Sequence, residues 1–546
     1  MIKRYFQALS QFDKIKLISV GRVSDKKLNL STLVASIKWI VGGVMTLVLI
    51  LNATLFANTN FVKDVKIGAY LNNSFYYFNN GDLRALDNRS VTTVENTDDA
   101  VGIVYSRVGV EIGLNVYETI DFYLNAYKPF FWGNDSAEYN SEGNSIFLKE
   151  ANMNIGLYRY EKISYLDLKV GRQFYSINTT RFKNFVLKDI LDALIVKFGY
   201  SIFGFELGFD FFSMNSPAEG VYILKDDRHP YTVRYFDGDV NTYKLFTTLS
   251  LSLSNDFIKD SLSKVYFIFA RIGAMGESPN QGGWEITRGG AEGNFADNDF
   301  ALVGGLSSYF DFELVSFMVE FALSYGIDRK HRTFPNVETF GFLGYLGVEF
   351  VSDVFKAGLD GLYVSSANTD RNGNYINYGF ISMKGDRVGG MLFSKYYGNY
   401  PSAIVNYQGI VFKPFGLHRS SPTAMGSAKV GIEDLNILSF SKDPNSNGLG
   451  LMVEFYAYLD TSQSSANLNA SGLRIDVYDQ KRFGKFMATE LNVIGKYKFY
   501  NGSMETGINF GWLLPFDFYS IPVSIPKAPY GLYDFIGFEV FLNTRI

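Results

Sequence analysis

The sequence predicts a transmembrane antiparallel β-barrel of about 18 strands (roughly 16–20). Three observations lead to this prediction. Apolar and polar residues alternate in segment after segment from about residue 62 onward. Short turns and long polar loops alternate between these segments. After residue 57 no stretch is apolar for long enough to form a spanning helix, so a membrane crossing requires a closed sheet.

The segment Val104–Val116 illustrates the alternation. Val110 and Ile112 fall on one face, whereas Arg107 and Glu111 fall on the other, because successive strand side chains point to opposite faces. The same pattern recurs in residues 120–127, 150–157, 203–211, 315–324, 449–459 and 535–546. In an outer-membrane strand the apolar face contacts lipid and the polar face lines the lumen. Because the last of these segments is amphipathic as well, we expect the final strand to pair with the first.

The connections between the segments also alternate in length. The expected short turns are residues 117–119, 199–201, 351–353 and 501–502. The expected long loops are residues 130–145, 214–240, 274–298, 327–339, 399–426, 461–484 and 515–533. A barrel with one periplasmic and one external rim has this arrangement. A soluble β-sandwich is the alternative fold, but it explains neither the alternation of short and long connections nor the continuous alternation of apolar and polar residues along the chain.

Composition argues against several functional classes. The 546-residue chain has 50 Phe and 37 Tyr but no Cys, which excludes thiol catalysis, disulfides and thiolate metal sites. Its three histidines, His229, His331 and His418, fall far apart in expected loops. We therefore expect no enzymatic activity, no cofactor and no metal site.

The N-terminal residues 1–57 predict a signal or targeting segment. Lys38 precedes the uncharged apolar run Trp39–Leu51, and a cut is expected near Ala57. A retained membrane anchor is the alternative, although the run is shorter than the ~20 residues that a spanning helix needs. Residues 1–36 form a long lead-in, which fits either a misassigned start codon or an extended signal.

Residues 58–546 are expected to form a single barrel domain. Eight of the 51 basic and two of the 55 acidic residues precede this domain, which leaves it a net charge of −10. A nucleic-acid-binding protein would have the opposite bias.

Two segments resemble a known family. The first is Val170-Gly171-Arg172-Gln173, followed by Arg181-Phe182; the second is Ala488-Thr489-Glu490-Leu491-Asn492, followed by Tyr497, Gly507–Gly511 and Pro515–Asp517. Both are similar to outer-membrane porins of the alginate-export type. The resemblance implies an 18-stranded monomeric barrel that passes a polar or sugar-like solute.

Strand parity places a set of charged residues toward the predicted lumen. The predicted pore-lining residues are Arg107, Glu111, Asp121, Glu150, Asp167, Lys169, Glu206, Asp210, Glu320, Glu454, Glu490 and Lys496. For Glu454 and Glu490, holding the strand wall together is an equally good interpretation. We expect Asp121 to pair with Arg107 or Glu111 across the neighbouring strand. Arg172 shares the parity of the apolar face, so it lies either past the membrane edge or after a bulge.

Taken together, these features predict an outer-membrane porin for passive diffusion of small polar solutes. Both sugar-like compounds and carboxylates are candidate solutes. The alternative is a surface antigen or adhesin that acts through long extracellular loops, with the barrel as its anchor. The expected partners are outer-membrane lipid, the barrel assembly machinery and the solutes, but no nucleic acid. Both a monomer and a trimer remain open.

Overall fold

The computed structural model describes most of the predicted strands. The described residues are 62–79, 101–116, 119–132, 146–160, 164–178, 181–210, 243–255, 258–272, 299–328, 337–365, 376–377, 380–383, 385–386, 388–394, 424–435, 448–459, 486–500, 503–516 and 534–545. Contacts divide the chain into two units, Met1–Val62 and Lys63–Ile546. The predicted signal segment and all three histidines lie outside the described residues.

The described residues form nineteen strands. They are β1 (Val62–Asn79), β2 (Val101–Val116), β3 (Ile120–Trp132), β4 (Phe147–Tyr160), β5 (Ser164–Ser176), β6 (Lys188–Tyr200), β7 (Phe203–Asp210), β8 (Tyr243–Ser252), β9 (Asp260–Ile272), β10 (Asp299–Phe312), β11 (Val315–Asp328), β12 (Val337–Val351), β13 (Phe355–Val364), β14 (Ile376–Asn377), β15 (Ala424–Leu435), β16 (Gly448–Leu459), β17 (Phe486–Phe499), β18 (Met504–Pro515) and β19 (Phe535–Arg545).

Eighteen of these strands close into an antiparallel barrel, as the alternation predicts. Each strand pairs with its neighbour in the chain, except that β13 pairs with β15, and the two-residue β14 pairs in parallel with β12. The last strand pairs with the first over ten residues, from Tyr70 opposite Arg545 to Asn79 opposite Ile536. The predicted contact between the chain's final and first strands is therefore confirmed.

The two faces of the barrel differ in chemistry. Large apolar side chains are exposed on the outside, for example Leu359 at 63% and Ile508 at 54%. Outward rings gather near both ends of the strands: those of Phe310 and Phe317 lie 4.9 Å apart at one end of β10, and that of Phe300 lies at its other end. An apolar band between aromatic girdles is typical of a barrel in a bilayer.

Short turns lie at one rim of the barrel, and long connections lie at the other. Residues 201–202 and 352–354 make turns at the short-turn rim, close to where the sequence predicts them, and residues 313–314 make a further turn there. At the long-loop rim most connections lie outside the described residues. Within the described part of the chain, no helix is long and apolar enough to cross a membrane.

Candidate functional site

Two segments of the chain lie against the inner wall of the barrel. The first inward segment comprises residues 177–187, between β5 and β6, and the second comprises residues 380–394, between β14 and β15; residues 179–180, 384 and 387 are not described. Both carry apolar side chains with no exposed surface, although both are connections between strands. These side chains are Ile177, Phe185, Val186, Leu187, Phe380, Ile381, Met383, Val388, Leu392 and Phe393. Together they build a hydrophobic core inside the barrel.

Polar groups of the wall hold the first inward segment. Asn178 donates a hydrogen bond of 2.9 Å to Glu320, which also accepts one of 2.9 Å from Tyr266. Arg181 donates to Glu349 at 2.9 Å and to Asp311 at 3.2 Å. Charge-assisted hydrogen bonds of this kind are among the strongest side-chain contacts. The segment is therefore fixed to strands β9 to β12.

A buried carboxylate on the opposite part of the wall holds the second inward segment. Glu490 on β17 accepts hydrogen bonds from the backbone N–H groups of Leu392 at 2.6 Å and Phe393 at 3.1 Å. It also accepts the hydroxyl proton of Tyr458 at 2.8 Å. The rings of Phe393 and Tyr458 stack with centroids 3.9 Å apart. Backbone donors that a loop would otherwise leave unsatisfied are thus paired with a charged acceptor.

Two glycines allow this close approach. Gly389 has a φ of +114°, which side-chain-bearing residues rarely adopt. At Gly390 a Cβ atom would lie 2.3 Å from the Asn492 side chain and 2.8 Å from that of Glu490. A larger residue at either position would push the second inward segment off the wall.

The two inward segments also bind each other. The N–H of Met383 donates to the carbonyl of Val186 at 2.9 Å, and Asp386 forms an ion pair of 2.9 Å with Lys188, the first residue of β6. Lys183 donates to the carbonyl of Gly389 at 2.8 Å. The segments therefore act as one constriction that spans the interior from β10 to β17.

Lys183 lies at the junction of the two segments. Its ammonium group is 5.1 Å from the centre of the Tyr456 ring. Burial lowers the pKa of the Lys183 ammonium, and the nearby carboxylates of Asp360 and Glu454 oppose this shift only in part.

The constriction fills one side of the barrel. The inward residues of β11 and β12, among them Met318, Ala322 and Leu343, are fully buried. On β4 the inward residues Glu150, Asn152 and Asn154 are only half-buried. The water-accessible part of the lumen therefore lies along β1 to β4, and along the short-turn halves of β5 and of β15 to β19.

Charged residues on the inner wall of the barrel form clusters. Glu349 makes ion pairs with Lys356 at 3.2 Å and with Lys429 at 2.7 Å, in addition to its contact with Arg181. A second cluster joins Glu206 to Lys197, Lys264 and Tyr175. A recess of about 150 Å³ has Lys356, Lys429, Glu454 and Lys496 in its lining. The wall thus carries both signs of charge.

The predicted pore-lining residues fall into two groups, all with inward parity. The half-buried or exposed ones are Arg107, Glu111, Asp121, Glu150, Asp167, Lys169, Glu206, Glu454 and Lys496. Asp210, Glu320 and Glu490 are instead fully buried, at 0%, 1% and 0% exposure. Glu320 and Glu490 hold the inward segments, which corrects their assignment to the aqueous surface. Asp210 faces the buried Lys244 at 3.6 Å.

Two smaller predictions are resolved by the strand register. Asp121 accepts a hydrogen bond from Asn115 at 2.7 Å, whereas Glu111 pairs with Arg545, so the expected pairing of Asp121 with Arg107 or Glu111 was wrong. Arg172 does point outward: it lies within β5, opposite Asp192 on β6, with which it forms an ion pair of 3.2 Å. Its register with β6 is unbroken, but the pairing of β5 with β4 shifts between Gly156 and Tyr158, so Arg172 does follow a bulge in that pair, and its position relative to the membrane edge stays a prediction.

The sequence interpretation missed the residues that hold the constriction. Asn178, Lys183, Asp386 and Tyr458 were not singled out, and Arg181 entered only through the family resemblance. One signal could have identified the segments: Phe185-Val186-Leu187 is an apolar run inside a connection, where an exposed loop would be polar.

Within the described part of the chain, no group of His, Cys, Asp and Glu residues is arranged to hold a metal ion. The site consists of a narrowed passage with polar walls, and its chemistry is that of hydrogen bonding and ion pairing.

Of the comparisons with known proteins, only the comparison with solved structures finds similar proteins. No protein-family model matches the chain, and no curated protein matches it. The outer membrane protein OpdK from Pseudomonas aeruginosa aligns with a TM-score of 0.45 and 11% identity over 88% of this chain and 99% of its own. OccAB4 from Acinetobacter baumannii aligns with a TM-score of 0.42 and 12% identity over 90% and 100%. OprD from Pseudomonas aeruginosa aligns with a TM-score of 0.42 and 13% identity over 89% of this chain and 96% of its own. Because the scores are low, the assignment of the fold depends on the strand pairings of this chain itself.

Proposed function

We propose that this chain is an outer-membrane porin through which small polar solutes diffuse passively. One observation carries the proposal: a closed barrel with an apolar exterior has a polar inner wall, and two anchored segments narrow its interior without covering the β1 to β4 side. A rigid constriction with hydrogen-bonding walls selects solutes by size and polarity.

The location and assembly of the protein form part of this proposal. An N-terminal signal cut near Ala57 would export the chain, and the barrel assembly machinery would insert it into the outer membrane as a monomer or trimer. The resemblance to alginate-export-type porins supports the same class of channel. The mixed charges around Glu349 and Glu206 suit small polar solutes better than a long polyanion, which would favour a wall with excess Arg and Lys.

Planar-bilayer recording of the purified protein tests the proposal. We expect discrete conductance steps with weak cation selectivity, because the barrel domain has excess acidic residues. Liposomes that contain the protein should also swell in solutions of small sugars and organic acids. Folded protein that gives neither conductance nor swelling would contradict the proposal and favour a barrel-anchored antigen or adhesin.

A further inference from the structure

The passage past the constriction runs along the first strands of the barrel. Most of the described inward side chains of β1 to β4 are half-buried or exposed, Asn125 being buried, whereas those of β11 and β12 are covered by the inward segments. A solute in transit must therefore contact the β1 to β4 wall.

Tyrosine and asparagine dominate this wall. Its inward residues include Tyr70, Asn72, Tyr105, Asn115, Tyr123, Asn125, Tyr127, Asn152 and Asn154. An asparagine amide both donates and accepts hydrogen bonds, and so does a tyrosine hydroxyl. The wall therefore offers groups that can donate a hydrogen bond to a neutral hydroxyl and groups that can accept one from it.

The charges on the same wall are engaged by neighbouring groups. Glu111 pairs with Arg545 and accepts a hydrogen bond of 3.1 Å from Asn125. The guanidinium carbon of Arg107 lies 5.0 Å from the centre of the Tyr105 ring and 5.2 Å from that of Tyr127. Pairing of this kind lowers the net field that a charged solute would experience.

Tyr70 forms a flat aromatic surface on this wall. A Cβ atom at position 109 would lie 2.2 Å from the Tyr70 ring, so the ring occupies the space that Gly109 leaves open. The Tyr70 hydroxyl donates to Asn125 at 2.9 Å, which fixes the ring in this position. One ring face covers the backbone of β2 at Gly109, and Tyr70 keeps part of its surface exposed.

We infer that the β1 to β4 wall guides neutral saccharides through the pore, an inference that depends on the proposed porin function. The C–H face of a sugar ring packs on an aromatic ring, while its hydroxyls exchange hydrogen bonds with the adjacent amides. Tyr70 and Tyr123, with the half-buried Asn152 opposite Tyr123 on β4, form the centre of this track, and the buried Asn125 holds the two tyrosine hydroxyls from behind. A neutral solute needs no compensating charge, which matches a wall whose charges are already engaged.

Block of the ionic current by maltotriose in planar bilayers tests the inference, with gluconate as the charged comparison. We expect maltotriose to block wild-type channels, and Tyr70→Ala to raise the half-blocking concentration about tenfold, since one stacked ring is lost. Tyr70→Phe keeps the ring over Gly109 and should stay within about threefold of the wild type. The matched control is Tyr363→Ala, which removes an outward-facing ring and should leave the block unchanged.

The outcomes separate this inference from the proposed function. Channels that conduct and are blocked by gluconate but not by maltotriose would overturn the saccharide track and leave the porin function intact. Equal maltotriose block in Tyr70→Ala and wild type would also overturn the track. Absence of conductance from folded wild-type protein would instead contradict the porin function itself, and the inference with it.

Discussion

Replacing Glu490 by alanine should detach the second inward segment and widen the passage. The carboxylate accepts two backbone N–H groups and the Tyr458 hydroxyl in a site without exposed surface. A hydrogen bond to a charged group contributes about 1.5–3 kcal/mol, and a buried donor left unpaired costs about 1–3 kcal/mol. A net loss of about 4 kcal/mol would raise the population of the detached segment roughly 1,000-fold.

Single-channel recording and limited proteolysis measure this effect. We expect a larger unitary conductance for Glu490→Ala and new protease cleavage within residues 380–394, with the heat-modifiable gel mobility of a folded barrel retained. The control is Glu539→Ala on β19, which removes an inward carboxylate that accepts a hydrogen bond from Asn509. A folded Glu490→Ala variant with wild-type conductance and protease resistance would refute the anchoring role.

Two further predictions follow from the strand parity and from the junction of the inward segments. Leu359→Lys places a charge on the lipid face and should lower the free energy of unfolding of the barrel by about 2–4 kcal/mol. The adjacent substitution Asp360→Asn changes a lumen-facing side chain and should lower it by about 1 kcal/mol or less. Urea unfolding in lipid vesicles measures both losses, and equal losses would contradict the assignment of Leu359 to the outer face and Asp360 to the inner face. Because burial lowers the pKa of Lys183, its positive charge should be lost at a pH below that of an ordinary lysine, so cation selectivity should rise as the pH rises through that range. Lys183→Met should show high cation selectivity without this pH dependence, and a wild-type profile in the variant would exclude Lys183 as the titrating group.

The barrel could be predicted from the sequence because strand parity is a local property. Alternation assigns Glu111, Asp121 and Glu150 to the inner face from the chain geometry alone, and the register places all three on the same face of the sheet. The same local rule places Arg172 on the outer face, where the structure finds it opposite Asp192.

The constriction could not be predicted because it depends on contacts between distant parts of the chain. Asn178 and Glu320 are separated by 142 residues in sequence, and Glu490 lies 98 residues from Leu392. Parity shows that Glu320 and Glu490 point inward, but it does not show whether water or a folded-in segment meets them.

Single-cysteine scanning tests the central claim most directly, because the natural chain has no cysteine. With a membrane-impermeant maleimide, we predict that cysteines at the inward positions Glu150, Asn152 and Asn154 of β4 are labelled, while those at Ala151 and Met153 are not. On β11, inward cysteines at positions 318 and 322 should stay unlabelled, since the inward segments cover that side. Labelling without alternation on β4, or labelling of the β11 positions as fast as those of β4, would contradict an aqueous passage that runs along the first strands and is closed on the β11 side.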